Sequence, residues 1–390
     1  MEREIYFDNS ATTQVHPDVA DLMHETMIRN YGNPSSLHKK GVQAEQTVSY
    51  TRKIIAGALE VAPEEIFFTS GGTESNNTAI KGIAHAYKSR GNHIITSNVE
   101  HPSVLNVFDH MEELGFRVTY LRVKENGVID PEELKEVLCN DTLLVSLMHV
   151  NNEVGAIQPI QEVGEILKGY HKKVYYHVDA VQSFGKLPVF PGKWGIDMLS
   201  VSGHKFHGPK GIGVLYLRKG TRVKALVEGG GQEKSLRSGT ENVPGIAGLG
   251  KAVELAVKDR EAHAEKMNAI RETLASRIKD QVPDCRVNSN FDETGAPHIL
   301  NISFPGTRSE VLLHYLEQDG IYVSSGSACS ARKGKLSHVL TAMNLNEEEM
   351  EGSIRFSFSY MNQIEEVMPA VESVKRAVKE LRDLTGDKRR

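Results

Sequence analysis

Between about Glu65 and Leu217 the chain alternates short apolar runs with longer stretches of helical spacing, and this alternation leaves few folds open beyond an α/β sheet. The apolar runs predict strands at Ile66–Thr69, His93–Thr96, Arg117–Leu121, Leu143–His149, Val174–Val178, Met198–Val201 and Gly213–Tyr216. Several are apolar on both faces, as in strands covered by helices on two sides. Between them, Glu74–Arg90, Pro102–Leu114, Pro131–Cys139 and Pro159–His171 carry helical spacing, and three of the four open on a proline. Functional loops are then expected at the carboxyl ends of the strands.

Beyond Gly229-Gly230-Gly231, the stretch from about Gly245 to Val282 reads as one long connecting helix, charged along one face. The remainder reads as a smaller α+β domain, with strands near Ile299–Ser303, Tyr322–Ser324 and Ser353–Phe358 and a helix from Glu365 to about Leu381. The expected division is a large domain over 14–260 and a small one built from 1–13 and 261–390. A length of 390 residues with 39% hydrophobic and 25% charged side chains is enough for two cores.

A formal charge of −5 gives no overall attraction to nucleic acid or an anionic membrane, and neither is expected as a direct partner. The longest apolar stretches, such as Leu143 to Val150, fall short of a membrane span, and Met1–Tyr6 does not read as a secretory leader. The three cysteines, Cys139, Cys285 and Cys329, are spaced too widely for a disulfide framework or a thiolate cluster. A reducing compartment, the cytoplasm, is the expected location.

Four motifs fall at predicted strand ends. Ser202-Gly203-His204-Lys205-Phe206-His207-Gly208-Pro209-Lys210 is glycine-rich but lacks the Gly-Lys-Ser/Thr of a nucleotide loop. A lysine there can instead form a Schiff base with an aldehyde cofactor, although a lone lysine is more often a solvated charge. Asp179 ends a buried run and needs a cationic partner such as a protonated pyridine nitrogen; read alone, it is equally a helix N-cap. Ser70-Gly71-Gly72-Thr73-Glu74-Ser75 joins a strand to a helix and can hold a phosphate or simply cap the helix. His101, in Val99-Glu100-His101-Pro102, can stack on an aromatic ring and move protons, or be one structural histidine among the 16 present.

Together these motifs resemble the pyridoxal 5′-phosphate (PLP)-dependent cysteine desulfurases of the NifS/IscS type, within the class V aminotransferase-like group. The resemblance extends over nearly the whole chain. It includes Tyr6-Phe7-Asp8-Asn9-Ser10-Ala11-Thr12-Thr13, Gly32-Asn33-Pro34-Ser35-Ser36, Thr69 to Asn77, Asn151-Asn152-Glu153, His177 to Gln182, Ser202 to Lys205, Arg237-Ser238-Gly239-Thr240 and Ser324 to Cys329. It implies a fold-type I PLP-dependent transferase, with a mainly parallel seven-stranded sheet in the large domain.

By the same resemblance Lys205 carries the cofactor, Asp179 pairs with its ring nitrogen, His101 stacks on the ring and Gln182 meets the ring hydroxyl. Gly72, Thr73, Ser202 and His204 hold the phosphate, joined by Thr240 from a second subunit, which implies a homodimer. Asn152 positions substrate and cofactor, and Arg355 clamps the carboxylate of L-cysteine.

Cys329 sits among small, polar and basic neighbours that favour a wet thiolate, whereas Cys139 and Cys285 read as small buried apolar groups. The resemblance makes Cys329 the residue that takes sulfur from L-cysteine as a persulfide, leaving alanine. An iron–sulfur scaffold or tRNA-thiolation protein is the implied acceptor. Its surroundings resemble the long-loop subgroup rather than the one with a histidine-flanked cysteine. Phe358-Ser359-Tyr360-Met361-Asn362 departs from the usual glycine-arginine continuation, a difference expected to touch the small domain rather than the cofactor. Another PLP enzyme of the same fold, such as a selenocysteine lyase or an aminotransferase, remains open as the alternative, and a colourless sulfur carrier is the remote one.

Overall fold

The computed structural model describes residues 4–326 and 336–386. In chain order the elements are β1 (Ile5–Tyr6), α1 (Pro17–Arg29), α2 (Lys39–Leu59), β2 (Ile66–Thr69), α3 (Gly72–Tyr87), β3 (His93–Ser97), α4 (Pro102–Glu113), β4 (Arg117–Leu121) and α5 (Pro131–Val137). There follow β5 (Thr142–Met148), α6 (Ile160–Gly169), β6 (Tyr175–Asp179), β7 (Met198–Ser202), β8 (Gly213–Leu217), α7 (Val243–Lys258) and α8 (Arg260–Gln281). The last are β9 (Arg286–Val287), β10 (Ile299–Ser303), α9 (Ser309–Gln318), β11 (Ile321–Tyr322), β12 (Ser324–Ser325), α10 (His338–Ala342), α11 (Glu347–Glu351), β13 (Ser353–Ser357) and α12 (Val367–Thr385).

The seven-stranded sheet has the order β2-β8-β7-β6-β5-β3-β4. Strands β7, β6, β5, β3 and β4 are parallel, while β8 runs antiparallel to both β2 and β7. Because β8 is reversed between them, β2 and β7 point the same way. The carboxyl ends of β2, β3, β5, β6 and β7 therefore share one rim. Helices pack on the sheet, and β5 and β6 are buried along their whole lengths, which explains their near-continuous apolar sequence. Proline at the first turn of α1, α4 and α5 fixes where those helices begin, since its missing N–H costs nothing there.

A second apolar core gathers Ile5, Phe7, Ile270, Leu274, Leu300, Phe356 and Val374. Around it lie the four-stranded antiparallel sheet β12-β13-β10-β9, the β1-β11 pair and helices α8, α9 and α12. The N-terminal segment continues past β1 beside β13: Ser357 N donates to Phe7 O at 2.7 Å and Asn9 N to Ser357 O at 3.3 Å.

Two expectations are corrected. The single helix over 245–282 is two, broken at Asp259 (φ −123°, ψ 34°). The break lets Ile246, Leu249 and Val253 of α7 enter the large core while Met267, Ile270 and Leu274 of α8 enter the small one. The run at 322–324 is likewise divided at Val323 between two sheets. Within Phe358–Asn362, Tyr360 stacks on His263 at 4.2 Å and meets His207 edge-on at 4.7 Å, and none of the three lines the cavity described below. Helices α1 and α2, which pack on α7, add to the elements expected from the sequence.

Candidate active site

At the shared rim lies a cavity of about 280 Å³. Gly72, Thr73, His101, Asn152, Asp179, Gln182, Ser202, His204, Lys205 and Arg355 all line it. Thr240 is exposed and is not among these lining residues. Cys329 lies outside the described residues.

Local structure explains each placement. Asp179 is the last residue of β6 and is buried; its Oδ1 accepts from Val181 N at 2.9 Å and its Oδ2 from Asn76 Nδ2 at 2.7 Å. His101 caps α4 just beyond β3, with Nδ1 accepting from Ser103 N at 3.1 Å and contacting the Ser103 hydroxyl at 2.8 Å. Burial lowers the His101 pKa and Lys205 and His338 lower it further, against the opposing pull of Asp179. His204 is driven down to about 4, by burial first and then by the neighbouring lysines. Asn151 ties the β5 loop to the β3 loop through Nδ2 to Val99 O at 3.0 Å, and its Oδ1 accepts from Glu153 N and Val154 N, so Asn152 is held at the cavity.

Lys205 ends a 3₁₀ turn after β7, and its Nζ donates to Ser10 O at 2.6 Å and Ala11 O at 3.0 Å. The turn that carries Gly72 approaches β8 so closely that a Cβ on Gly213 would lie 2.6 Å from Gly71 Cα. Arg355, in the middle of β13, reaches the cavity from the small core. Its Nη1 donates to Asn152 O at 2.9 Å and its Nη2 pairs with Asp8 Oδ1 at 2.9 Å.

Several residues to which the sequence alone assigns no role complete the site. Ser10, Ala11 and Asn76 line the cavity, and Glu153 joins them beside Asn152. Glu153 is wholly buried, raised in pKa by burial, and accepts from the Ser337 hydroxyl at 2.5 Å. Behind His101, Glu100 is raised to about 8 by burial, although Met148 N and the Ser97 hydroxyl both donate to its Oε1. All five lie within or beside the motifs named above, so only the contact that gives each its purpose was hidden. Of the other cysteines, Cys139 is half-buried beyond the end of α5 rather than an apolar filler. Burial raises its pKa, but hydrogen bonds outweigh that and lower it, including one from Arg117 Nη2 at 2.9 Å. Cys285 is half-buried, and burial raises its thiol.

The cavity fits PLP on its own chemistry. Ser10 Oγ, Asn76 Oδ1 and Gln182 Oε1 are buried in residues of its wall without a hydrogen-bond partner among the described residues, and a polar ligand would satisfy them. The N-terminus of α3, at Gly72 and Thr73, suits a phosphate; Asp179 suits a protonated ring nitrogen; Lys205 suits an aldehyde. Such a lysine and carboxylate on the rim of a mainly parallel seven-stranded sheet define a PLP-dependent enzyme of fold type I.

Residues 5–369 match the aminotransferase class-V family, and the chain belongs to that family. It is 43% identical over 385 residues to the cysteine desulfurase IscS of Dictyoglomus turgidum, covering 99% of this chain and 97% of the relative. Among solved structures, a NifS-like protein superposes with a TM-score of 0.92 at 40% identity, covering 97% of this chain and all of that one. SspA in complex with cysteine superposes with a TM-score of 0.81 at 36% identity, covering 92% of this chain and 100% of that one.

Proposed function

We infer that the protein is a cysteine desulfurase that uses PLP to convert L-cysteine to L-alanine and to carry the sulfur as a persulfide. One observation carries the reading: a chain 43% identical to a cysteine desulfurase over nearly its full length places Lys205, Asp179 and Arg355 on one cavity.

Bound PLP supplies an electron sink for charge that develops at the substrate Cα. Arg355 binds the α-carboxylate and, with Asn152, orients the amino acid. The Lys205 amine, steadied by the Ser10 and Ala11 carbonyls, removes the α-proton. Asp179, fixed by Val181 N and Asn76, holds a proton at the ring nitrogen. Burial lowers the pKa of His101, which would face the ring and could pass a proton there. Gly72, Thr73, Ser202 and His204 would hold the phosphate, and Gln182, whose Oε1 has no partner among the described residues, would meet the ring hydroxyl. Cys329 takes the substrate sulfur.

A homodimer in which Thr240 completes the partner's phosphate site is supported by the exposed apolar side chains Met27, Ile28, Tyr31, Leu37 and Val42 around α1 and α2. The proposed sulfur acceptor is an iron–sulfur scaffold or a tRNA-thiolation protein, and the proposed location is the cytoplasm. Among the described residues no helix is long and apolar enough to cross a membrane.

The test is turnover of L-cysteine by the PLP-loaded protein with a thiol reductant. Equal amounts of alanine and sulfide support the reading; a keto acid in their place would support an aminotransferase and overturn it.

A further inference from the structure

Arg355 is 3% exposed in its side chain, yet it carries a full charge at the wall of the cavity. Its Nη1 serves two backbone carbonyls, Asn152 O at 2.9 Å and Gly326 O at 3.5 Å, and its buried Nε has no partner among the described residues. Its Nη2 is taken by Asp8. The other nearby carboxyl, Glu153, accepts from the Ser337 hydroxyl instead of pairing with Arg355. Among the described residues, Asp8 is the only carboxylate in an ion pair with this arginine.

Asp8 differs from Arg355 in having somewhere to go. Its side chain is 21% exposed, and it is not among the residues that line the cavity. It follows β1 in the segment that runs beside β13, where the backbone bridge to Ser357 holds it opposite the arginine. An α-carboxylate that takes both prongs of the guanidinium competes with Asp8 for Nη2, and water can take up the carboxylate that it displaces.

We propose that Asp8 is a placeholder for the substrate carboxylate, paired with Arg355 in the resting enzyme and exchanged for the α-carboxylate of the incoming amino acid. This rests on the reading of Arg355 as the carboxylate clamp and adds a determinant of affinity: the ligand sees only the fraction of molecules in which Arg355 has been released. Asp8 is thus a positioning residue whose loss tightens binding. Were it merely a support for the arginine, its loss would weaken binding instead.

The experiment measures propionate, an unreactive monocarboxylate, binding to the PLP-loaded protein by calorimetry, alongside KM and kcat for L-cysteine. Wild type, Asp8→Asn, Asp8→Ala and Arg355→Gln are compared. The expected result is that the propionate Kd and the cysteine KM fall about tenfold in both Asp8 variants, by more than any change in kcat, and that Arg355→Gln abolishes propionate binding. A rise in Kd and KM, or no change, overturns the proposal. So does propionate that ignores wild type and Asp8 variants alike. Inert cysteine together with tighter propionate binding would defeat the desulfurase reading and leave the exchange standing.

If the charge-removing variants Asp8→Asn and Asp8→Ala do not fold, ¹³C-labelled aspartate in the wild type decides, with the Asp8 carboxyl signal assigned from the charge-conserving Asp8→Glu. Propionate must move that signal, and an unmoved signal overturns the exchange.

Discussion

Glu100 offers a test of how the site is insulated from water. It is fully buried; Oε1 accepts from the Ser97 hydroxyl at 2.7 Å and Met148 N at 2.9 Å, while Oε2 has no partner among the described residues. Burial, helped by the Asp179 charge, raises its pKa from 4.5 to about 8 against those two hydrogen bonds. Below pH 4.5 the carboxyl is protonated in both the folded and unfolded chains, and no cost arises. As pH rises from 4.5 to about 8 the unfolded chain releases a proton that the native protein keeps, so stability falls by about 1.4 kcal/mol per pH unit. The accumulated cost is on the order of 5 kcal/mol and is constant above the folded pKa.

Glu100→Gln retains the accepting oxygen and places an uncharged nitrogen at the unpartnered position. The variant should therefore gain on wild type steadily between about pH 5 and 8 and then keep a constant lead. Urea unfolding followed by fluorescence of Trp194, the single tryptophan, measures the difference at each pH. A stability difference between the two proteins that does not change with pH would refute the assignment of a buried, protonated Glu100.

Three further outcomes rest on named contacts. Glu233→Ala removes a buried carboxylate that accepts from both Arg52 Nη atoms, at 2.9 and 2.6 Å, and from Phe68 N on β2; chemical denaturation should show a loss of about 3–5 kcal/mol. In Gly164→Ala the new Cβ would stand 1.9 Å from Trp194 O, so α6 must move; a loss of about 1–3 kcal/mol and a changed Trp194 emission are expected. Asp179→Asn should leave the phosphate contacts and the fold intact yet lower kcat at least about a hundredfold, read as alanine formation at saturating L-cysteine.

Much of the architecture was legible because the large sheet is buried on both faces. Its strands are short apolar runs bounded by clear breaks, and Ile66–Thr69 and Arg117–Leu121 agree to the residue. Proline starts marked α4 and α5 equally well. The break at Asp259 was hidden because neither glycine nor proline announces it; only the switch of buried positions from one core to the other requires it.

The site obeys the same rule. Lys205, Asp179 and His101 stand at or just past strand ends, where sequence position and the cavity coincide. Asp8, Ser10 and Ala11 act through contacts with residues more than a hundred positions away, such as Ser10 O with Lys205 Nζ, and no local pattern reports these. Asn362, in the divergent segment, is a further case: its Nδ2 donates to Tyr6 O at 3.0 Å and to Glu366 Oε2 at 2.9 Å, joining the chain's beginning to its end.

If this cavity delivers sulfur from L-cysteine to Cys329, the sulfur must be found on that residue. Peptide mass analysis of PLP-loaded protein after L-cysteine without reductant, beside the Cys329→Ala and Lys205→Ala variants, looks for it directly. One added sulfur atom is expected on the wild-type peptide carrying Cys329. Neither variant should gain any, and the visible colour of lysine-bound cofactor should be kept in Cys329→Ala and lost in Lys205→Ala. Sulfur gained on Cys139 or Cys285 instead, or alanine formed equally fast without Cys329, would contradict the assignment.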